Sequence, residues 1–292
     1  MDPALTMAPE TIGFPGGFTV LMAVYGRDDP VLFERAVRSA CEGSLPPDAF
    51  VLVADGPLPP ALQTRVDRLV EEFRIELIAL AHNVGLARAL NAGLRLVRTE
   101  WIVRADADDF NLPERFAQQA LAARAEPAPD LMGGTIVELD REGRILASRL
   151  TATTHDEILR FASRRCPFNH MTVAYRTSLA LAVGGYPAIH LREDYGMWAL
   201  MLHAGARCCN LPQVLVHASA GREMYRRRGG WRNAGAEWAL QRHLMRCGLK
   251  GPLSALVDGL LRMLVFLLPA GLRGRVYERL LRSGGPTTTA GH

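Results

Sequence analysis

Glu100–Asp109 reads EWIVRADADD. A short apolar run, Trp101 to Val103, leads directly into three carboxylates: Asp106, Asp108 and Asp109. Like charges this close raise one another's pKa and oppose the compact state. Either solvent screens them in a turn, since aspartate favours turns and helix starts, or a positive group binds there. The surrounding chain has to decide between the two.

Upstream, apolar runs alternate with helical patterns. FTVLMAVY, Phe18 to Tyr25, is the length of a buried strand. DDPVLFERAVRSACEG then offers Asp29 as N-cap, Pro30 as first helical residue and Gly43 as terminator. FVLVADG is a second apolar run, with Asp55 at its C-terminal edge. PALQTRVDRLVEEF has helical spacing, IELIAL reads as a strand, and GLARALNAGLRLV is helical again. EWIVRA is the fourth strand, and LPERFAQQALAARA follows as a helix with Pro113 near its start. This alternation predicts a largely parallel sheet covered by helices. Such sheets bind ligands beyond the carboxyl ends of their strands. Tyr25, Asp55 and Asp106 all fall at such ends, which favours a binding role for the aspartates over a solvated turn.

After about residue 130 the pattern changes. LMGGTIVELD and RILASRL flank REG and predict an antiparallel hairpin. HDEILRFAS reads as a short helix, NHMTVAYR as a strand and TSLALAVGGYP as a helix ended by glycine. REDYGMWALMLHAG reads as a helix opened by two acids and closed by Gly205.

The 292 residues suffice for one large domain or a domain with an appendage. The five cysteines are odd in number and form no C-x-x-C pair. That argues against a zinc ribbon or a disulfide framework and for a reducing cytoplasm. The start, MDPALTMAPETIGFPGG, lacks the pattern of a signal peptide and reads as a loose tail over 1–17. No Ser-His-Asp order, P-loop or G-x-G-x-x-G is visible. Charge is uneven. Residues 1–220 hold 21 Lys+Arg against 26 Asp+Glu, whereas residues 221–292 hold 13 against 4. A basic end on a mildly acidic body fits an anionic surface or substrate, or a merely solvated basic helix.

Six stretches, in this order, resemble the family 2 glycosyltransferases of the GT-A fold: VYGRDD from Val24, VADG from Val53, HNVGLARALNAGL from His82, RADADDFNLPERFAQQ from Arg104, GGY from Gly184 and EDYGMW from Glu193. NHMTVAYR and MYRRRGGWRNAGAEWALQRHLMRCGL are similar, more narrowly, to bacterial exopolysaccharide and O-antigen transferases of the amylovoran type. Two positions depart from the family pattern: Leu200, where an arginine is frequent, and Gly196, where a bulkier or acidic residue is common. The resemblance implies a Rossmann-like GT-A fold over 18–220, with a mixed, mostly parallel sheet flanked by helices. It also implies an inverting, metal-dependent hexosyltransferase using a nucleotide-sugar, with UDP the expected nucleotide. A nucleotidyltransferase, or a non-catalytic nucleotide-binding scaffold of a polysaccharide assembly complex, is the alternative.

The leaving diphosphate of such a donor needs positive charge, which a divalent cation held by carboxylates supplies. By resemblance, Asp106 faces the donor ribose and the Mn2+ or Mg2+, and Asp108 ligates the metal. Asp109 is read instead as a candidate cap of the following helix. Tyr25 and Asp55 fit a nucleobase pocket. Gly85 allows close backbone approach, and Arg88 and Arg104 reach the donor. An acid at Glu193–Asp194 is implied as general base, Asp194 first and Glu193 second. Trp198, one turn on, is expected to stack on a sugar, and His170 to meet acceptor or phosphate. His170 and His217 are both weaker cases, each read as a packed histidine before a metal or acceptor role.

In the basic end, Arg226, Arg227 and Arg228 are expected to contact phosphate. From Leu253 to Leu268 the chain is apolar except for Ser254, Asp258 and Arg262, which recur every four residues. A spanning helix wants ~20 residues with few charges. The stretch therefore reads as a membrane-associating helix lying on a bilayer face, within a helical C-terminal extension over 221–292. A core-closing helix or an oligomer interface is the other reading. The expected partners are a nucleotide-sugar donor, a polyprenyl-diphosphate-linked oligosaccharide acceptor and the inner face of the cell membrane, with no nucleic acid.

Overall fold

A computed structural model of the chain describes residues 13–140, 142–219 and 230–267. The first half follows the alternation in the sequence. Strands β1 (Phe18–Val24), β2 (Ala49–Ala54), β3 (Glu76–Ala79) and β4 (Trp101–Arg104) run parallel, with β1 between β2 and β4 and β3 beyond β2. Helices α1 (Pro30–Cys41), α2 (Pro60–Phe73) and α3 (Leu86–Leu94) make the crossovers. Asp29 caps α1, its Oδ1 accepting from the N–H of Val31 (2.8 Å) and Leu32 (3.1 Å).

The inner strands β1, β2 and β4 are mostly apolar because both faces of the sheet are covered there, whereas β3 at the edge is only partly buried. Val20, Met22 and Val24 of β1 pack with Phe33, Val37 and Leu62 of α1 and α2. Leu21, Val51, Val53 and Ile102 join Leu90 and Leu94 of α3 on the other face.

The second half is not parallel. β6 (Leu131–Leu139) and β7 (Ile145–Arg149) form the expected antiparallel hairpin, and β8 (Ala174–Arg176) lies antiparallel between β4 and β6. Two strands went unread in the sequence: β5 (Phe110–Asn111), just two residues long, and β9 (Cys208–Ser219), which carries Pro212 and a register shift against β6. Neither has a strand's periodicity. Among the described residues the sheet has nine strands, ordered β3-β2-β1-β4-β8-β6-β9-β5, with β7 attached to β6. β5 pairs antiparallel with β9, so the segment after the aspartates is pinned to the far edge of the sheet.

Helix α4 (Arg115–Ala123) returns from β5, and α5 (His155–Ala162) opens with the Thr154–Glu157 capping box. α6 (Thr177–Ala182) and α7 (Glu193–His203) close the face above α3. The last two helices among the described residues, α8 (Trp231–Arg246) and α9 (Pro252–Leu267), form a hairpin packed on α7 through Tyr195, Ala199, Leu240, Leu244 and Cys247. Arg226, Arg227, Arg228 and Leu268 lie outside the described residues.

The expected polar stripe on α9 turns largely toward the protein. Asp258 pairs with Lys250, and Arg262 pairs with Glu237 of α8, while Ser254 stays exposed. The opposite face leaves Leu253, Leu256, Val257, Leu260, Leu261 and Leu264 exposed. Among the described residues no helix is long and apolar enough to cross a membrane.

Candidate active site

Tyr25, Asp55 and Asp106 meet at the carboxyl edge because β1 aligns Val24 with Ala54 of β2 and Leu21 with Arg104 of β4. Each chain leaves its strand at the same side of the sheet. Tyr25 is half-buried there. Asp55 is buried and holds the HNVG loop: its carboxylate accepts from Asn83 Nδ2 (3.0 Å) and from the N–H groups of Val84 (2.7 Å) and Gly85 (3.0 Å). Gly56, at φ +91°, permits this approach, since a Cβ there would stand 2.7 Å from the Asn83 nitrogen. Gly85, at φ +88°, begins α3 with open space beside it, and Arg88 projects exposed from the first turn.

The aspartates sit on two buried arginines. Asp106 pairs through one oxygen with the Arg104 guanidinium and through the other with His170 Nε2 at 2.8 Å. Arg104 is 1% exposed and also donates to the carbonyls of Leu21 and Ala105. It therefore cannot reach out to a donor as expected from the sequence; it lies beneath Asp106 and orients it. Arg115 is equally buried, bonding Asn111 and donating to the Arg104 carbonyl at 2.7 Å. The sequence reading missed it, because an arginine in the first turn of a helix carries no mark of burial. Asp109 does not cap α4, which starts six residues later; its Oδ1 accepts from Ser219 N–H at 2.8 Å and ties the loop to β9.

These contacts divide the carboxylates electrostatically. Burial would raise Asp106, but Arg104, His170 and Arg115 outweigh it and hold the carboxyl well below its usual range. Asp108 reaches solvent on one side. The protein around its other side and the charge of Asp106 push it up to about 6. Asp109 is raised by burial and then by Asp108 and Asp106. A cation between Asp106 and Asp108 would relieve the strain on Asp108, so the pair fits one. The described residues bring together no group of three or more metal-ligating side chains. Two carboxylates with the remaining positions left to water and substrate phosphate is a usual arrangement for Mg2+.

His170 joins this cluster to α7. Its Nδ1 stands 3.9 Å from Asp194 Oδ2, so one imidazole spans the aspartate loop and the acidic helix start. Burial lowers its pKa, but Asp106 and Asp194 more than compensate and raise it to about 9, leaving a cation between two carboxylates. Asp194 itself is raised, chiefly by burial, and its Oδ1 is buried with no hydrogen-bond partner among the described residues. Glu193, also buried, is raised by burial and by Asp194. A raised carboxyl with an unused oxygen suits a group that takes a proton from a substrate hydroxyl.

Trp198 is placed otherwise than expected. It is 0% exposed and packs against Phe168, Tyr175 and Tyr186 at ring separations of 6.1, 5.6 and 6.2 Å. One turn along α7 from Asp194 carries it into the core, where it cannot stack on a sugar. His217 lies beside Phe110, ring centroids 6.3 Å apart. Gly196 is explained by packing: a Cβ there would stand 2.5 Å from Pro187 Cγ.

A mixed sheet whose parallel half carries paired acids at its carboxyl edge, opposed by an acidic helix start, is the arrangement that the resemblance to GT-A glycosyltransferases implies. The family model described as "Glycosyl transferase family 2" matches residues 19–181, and the chain belongs to that family. It is a glycosyltransferase, which sets aside the nucleotidyltransferase and scaffold alternatives. The chain is 37% identical to an uncharacterised glycosyltransferase of Haemophilus influenzae, over 91% of this chain and 99% of that one. It is 32% identical to the amylovoran biosynthesis glycosyltransferase AmsE of Erwinia amylovora, over 90% and 98%. It is 30% identical to the UDP-Gal:alpha-D-GlcNAc-diphosphoundecaprenol beta-1,3-galactosyltransferase of Escherichia coli, over 91% and 96%. Among solved structures, S. aureus TarS with UDP-GlcNAc covers 91% of this chain and 76% of that one, at TM-score 0.62 and 18% identity. The mannosyltransferase PcManGT of Pyrobaculum calidifontis, with GDP-Man and Mn2+, covers 96% and 84% at TM-score 0.58 and 18% identity. The fold is thus GT-A.

Proposed function

We propose that this chain transfers a sugar, with inversion, from a UDP-sugar to a polyprenyl-diphosphate-linked glycan during assembly of a bacterial surface polysaccharide. The observation that supports the reading is the His170 span, which links Asp106 to Oδ2 of Asp194, whose Oδ1 is buried without a hydrogen-bond partner among the described residues. The Erwinia relative's part in amylovoran biosynthesis and the Escherichia relative's diphosphoundecaprenol-linked acceptor support the substrate class.

Tyr25 lies against the nucleobase, and Asp55 shapes the loop that follows it, its Oδ1 retaining an acceptor position for a base N–H. Gly85 and Arg88 face the phosphates. Asp106 and Asp108 would hold Mn2+ or Mg2+, which supplies positive charge to the diphosphate as the glycosidic bond breaks. Asp106 is kept ionised by Arg104, and cationic His170 stands beside the same oxygens. The acceptor hydroxyl attacks the anomeric carbon from the α7 side. A C–O bond forms there, the bond to the diphosphate breaks, UDP leaves with the bonding pair, and the hydroxyl proton passes to Asp194.

The outward face of α9 supports a peripheral position on the inner membrane leaflet, where such acceptors are held. Leu253 and Leu264 are 74% and 64% exposed, Trp231 is 77% exposed, and Arg232, Arg242 and Arg246 are exposed on α8. Apolar surface rimmed by tryptophan and arginine suits an anionic bilayer.

The test is a panel of UDP-, GDP- and dTDP-sugars offered with Mn2+, with Mg2+ and with chelator, against a synthetic GlcNAc-diphospho-polyprenol. Mass spectrometry reads the product. A UDP-sugar product that disappears with chelator is expected; transfer undiminished by chelator contradicts the metal role, and transfer from GDP-sugars alone contradicts the nucleotide.

A further inference from the structure

The C-terminal hairpin is wired to the acidic helix start by a buried ion network. Glu237, on α8, is 0% exposed. One of its oxygens lies 3.4 Å from Arg262 of α9 and accepts from Gln241 Nε2 at 2.8 Å; the other lies 3.4 Å from Arg192 Nε. Arg192 is the residue immediately before Glu193 and Asp194, and it forms the N-cap of α7. Its other contacts face the same way: Nη1 donates to the Leu191 carbonyl at 2.8 Å, and the guanidinium lies 5.5 Å from the Phe266 ring of α9.

The turn these contacts hold is strained. Leu191 has φ +55°, a left-handed conformation that side chains other than glycine rarely adopt. Such a residue is strained and persists only where its surroundings over-determine it. Here Arg192 supplies the restraint, and Glu237 fixes Arg192. α7 has no side-chain N-cap to hold the turn from its own side. A buried carboxylate with two arginines is weak evidence for stability, because desolvation offsets much of the attraction. Its directional effect on one strained turn is the more specific consequence.

We propose that Arg192, Glu237 and Arg262 form a positioning bridge that fixes the turn presenting Glu193 and Asp194, so that the α8–α9 hairpin is part of the transfer machinery rather than an attachment device alone. The bridge touches no substrate; it acts through Asp194 and rests on the reading of Asp194 as the base. Arg262 lies on the same helix as the exposed apolar face, so the residues that meet the bilayer and those that hold the acid turn share one rigid element.

The test uses the full chain with Glu237→Gln, which keeps shape and removes the charge. Transfer is timed with the UDP-sugar that the wild type turns over. Hydrogen exchange is followed in the segment 190–197. The expected result is a fall in kcat per folded molecule of about tenfold or more, a donor KM within about twofold of wild type, and faster exchange in 190–197. Arg192→Gln combined with Glu237→Gln should cost no more than the worse single change, since the bridge acts as a unit. Arg192→Lys should recover part of the loss. If Glu237→Gln fails to fold, Arg262→Gln, which removes only the outer partner, gives the same readouts at smaller amplitude. A variant that melts earlier yet keeps wild-type kcat and wild-type exchange in 190–197 overturns the proposal, since that is the signature of a merely structural network. Failure of the base assignment looks different: Asp194→Asn would then keep its turnover.

Discussion

At the level of single residues, the crowded aspartates are explained by division of labour. Arg104 keeps Asp106 ionised, Asp109 is given over to Ser219, and Asp108 is left facing solvent with its pKa pushed up to about 6. Asp108→Asn should keep the turn and the fold but lose metal-dependent UDP binding and nearly all transfer. Calorimetric titration of UDP with and without Mn2+ reads this directly, and a variant with wild-type affinity and rate in limiting Mn2+ contradicts it. His170 gives a pH prediction. Its pKa stands near 9, above the ordinary 6.5, so its contacts contribute stability that is fully present below about pH 6.5 and lost as pH rises through 9. With its side chain 41% exposed, solvent screens the pairs and holds the effect to about 1 kcal/mol. Urea midpoints measured in chelator from pH 6 to 9.5 should therefore fall for the wild type relative to His170→Gln. Parallel curves would show that the imidazolium contributes nothing.

At the level of elements, the parallel half of the sheet was legible because β1, β2 and β4 are buried on both faces and so read as apolar runs. Asp29 and Pro30 announced α1 for the same kind of local reason. β9 and β5 were not legible: one is interrupted by Pro212, the other is two residues long, and both exist through pairing with distant strands. Of the site, Asp106, Asp194 and His170 could be singled out from motif and chemistry, whereas their mutual arrangement is set by packing across three elements. Trp198 shows the limit of helical spacing. A residue one turn from Asp194 need not share its exposure, and here α7 is buried nearly all round. Trp198→Ala should cost about 3–5 kcal/mol of stability. Denaturant midpoints check this; a variant of unchanged stability with weakened acceptor binding would restore the sugar-stacking role. α9 shows the converse, since its polar stripe was visible but its partners were not. Because that stripe is engaged with Lys250 and Glu237, cutting the chain at residue 252 would disturb α7 as well. Leu260→Glu with Leu264→Glu is the cleaner probe of the bilayer. Sedimentation with phosphatidylglycerol vesicles should lose the double variant while UDP affinity is retained, and undiminished co-sedimentation contradicts the bilayer assignment.

At the scale of the whole molecule, the two halves of the sheet have different tasks. The parallel half places Tyr25, Asp55 and the aspartates at one edge. The mixed half, through β8 and the short 3-10 turn His170–Thr172, brings His170 and α7 across from them. The hairpin of α8 and α9 then backs α7 from outside, with His243 Nε2 at 2.9 Å from the Gly196 carbonyl and His203 Nδ1 at 3.0 Å from the Cys247 carbonyl. The aspartate loop, the acidic start of α7 and the apolar face of α9 thus follow one another across the described residues, with α7 in the middle.

The central claim is that Asp194 removes the acceptor proton, and the most direct measurement separates binding from transfer. UDP is titrated calorimetrically in Mn2+ against wild type, Asp194→Asn and Glu193→Gln, and transfer to the polyprenyl-diphosphate acceptor is timed for each. Loss of a general base typically costs 10²- to 10⁴-fold in rate. Asp194→Asn should therefore bind UDP within about threefold of wild type and lose turnover by that range, while Glu193→Gln is affected less. An Asp194→Asn enzyme that transfers sugar at the wild-type rate, or a dead Glu193→Gln beside an active Asp194→Asn, would contradict the account.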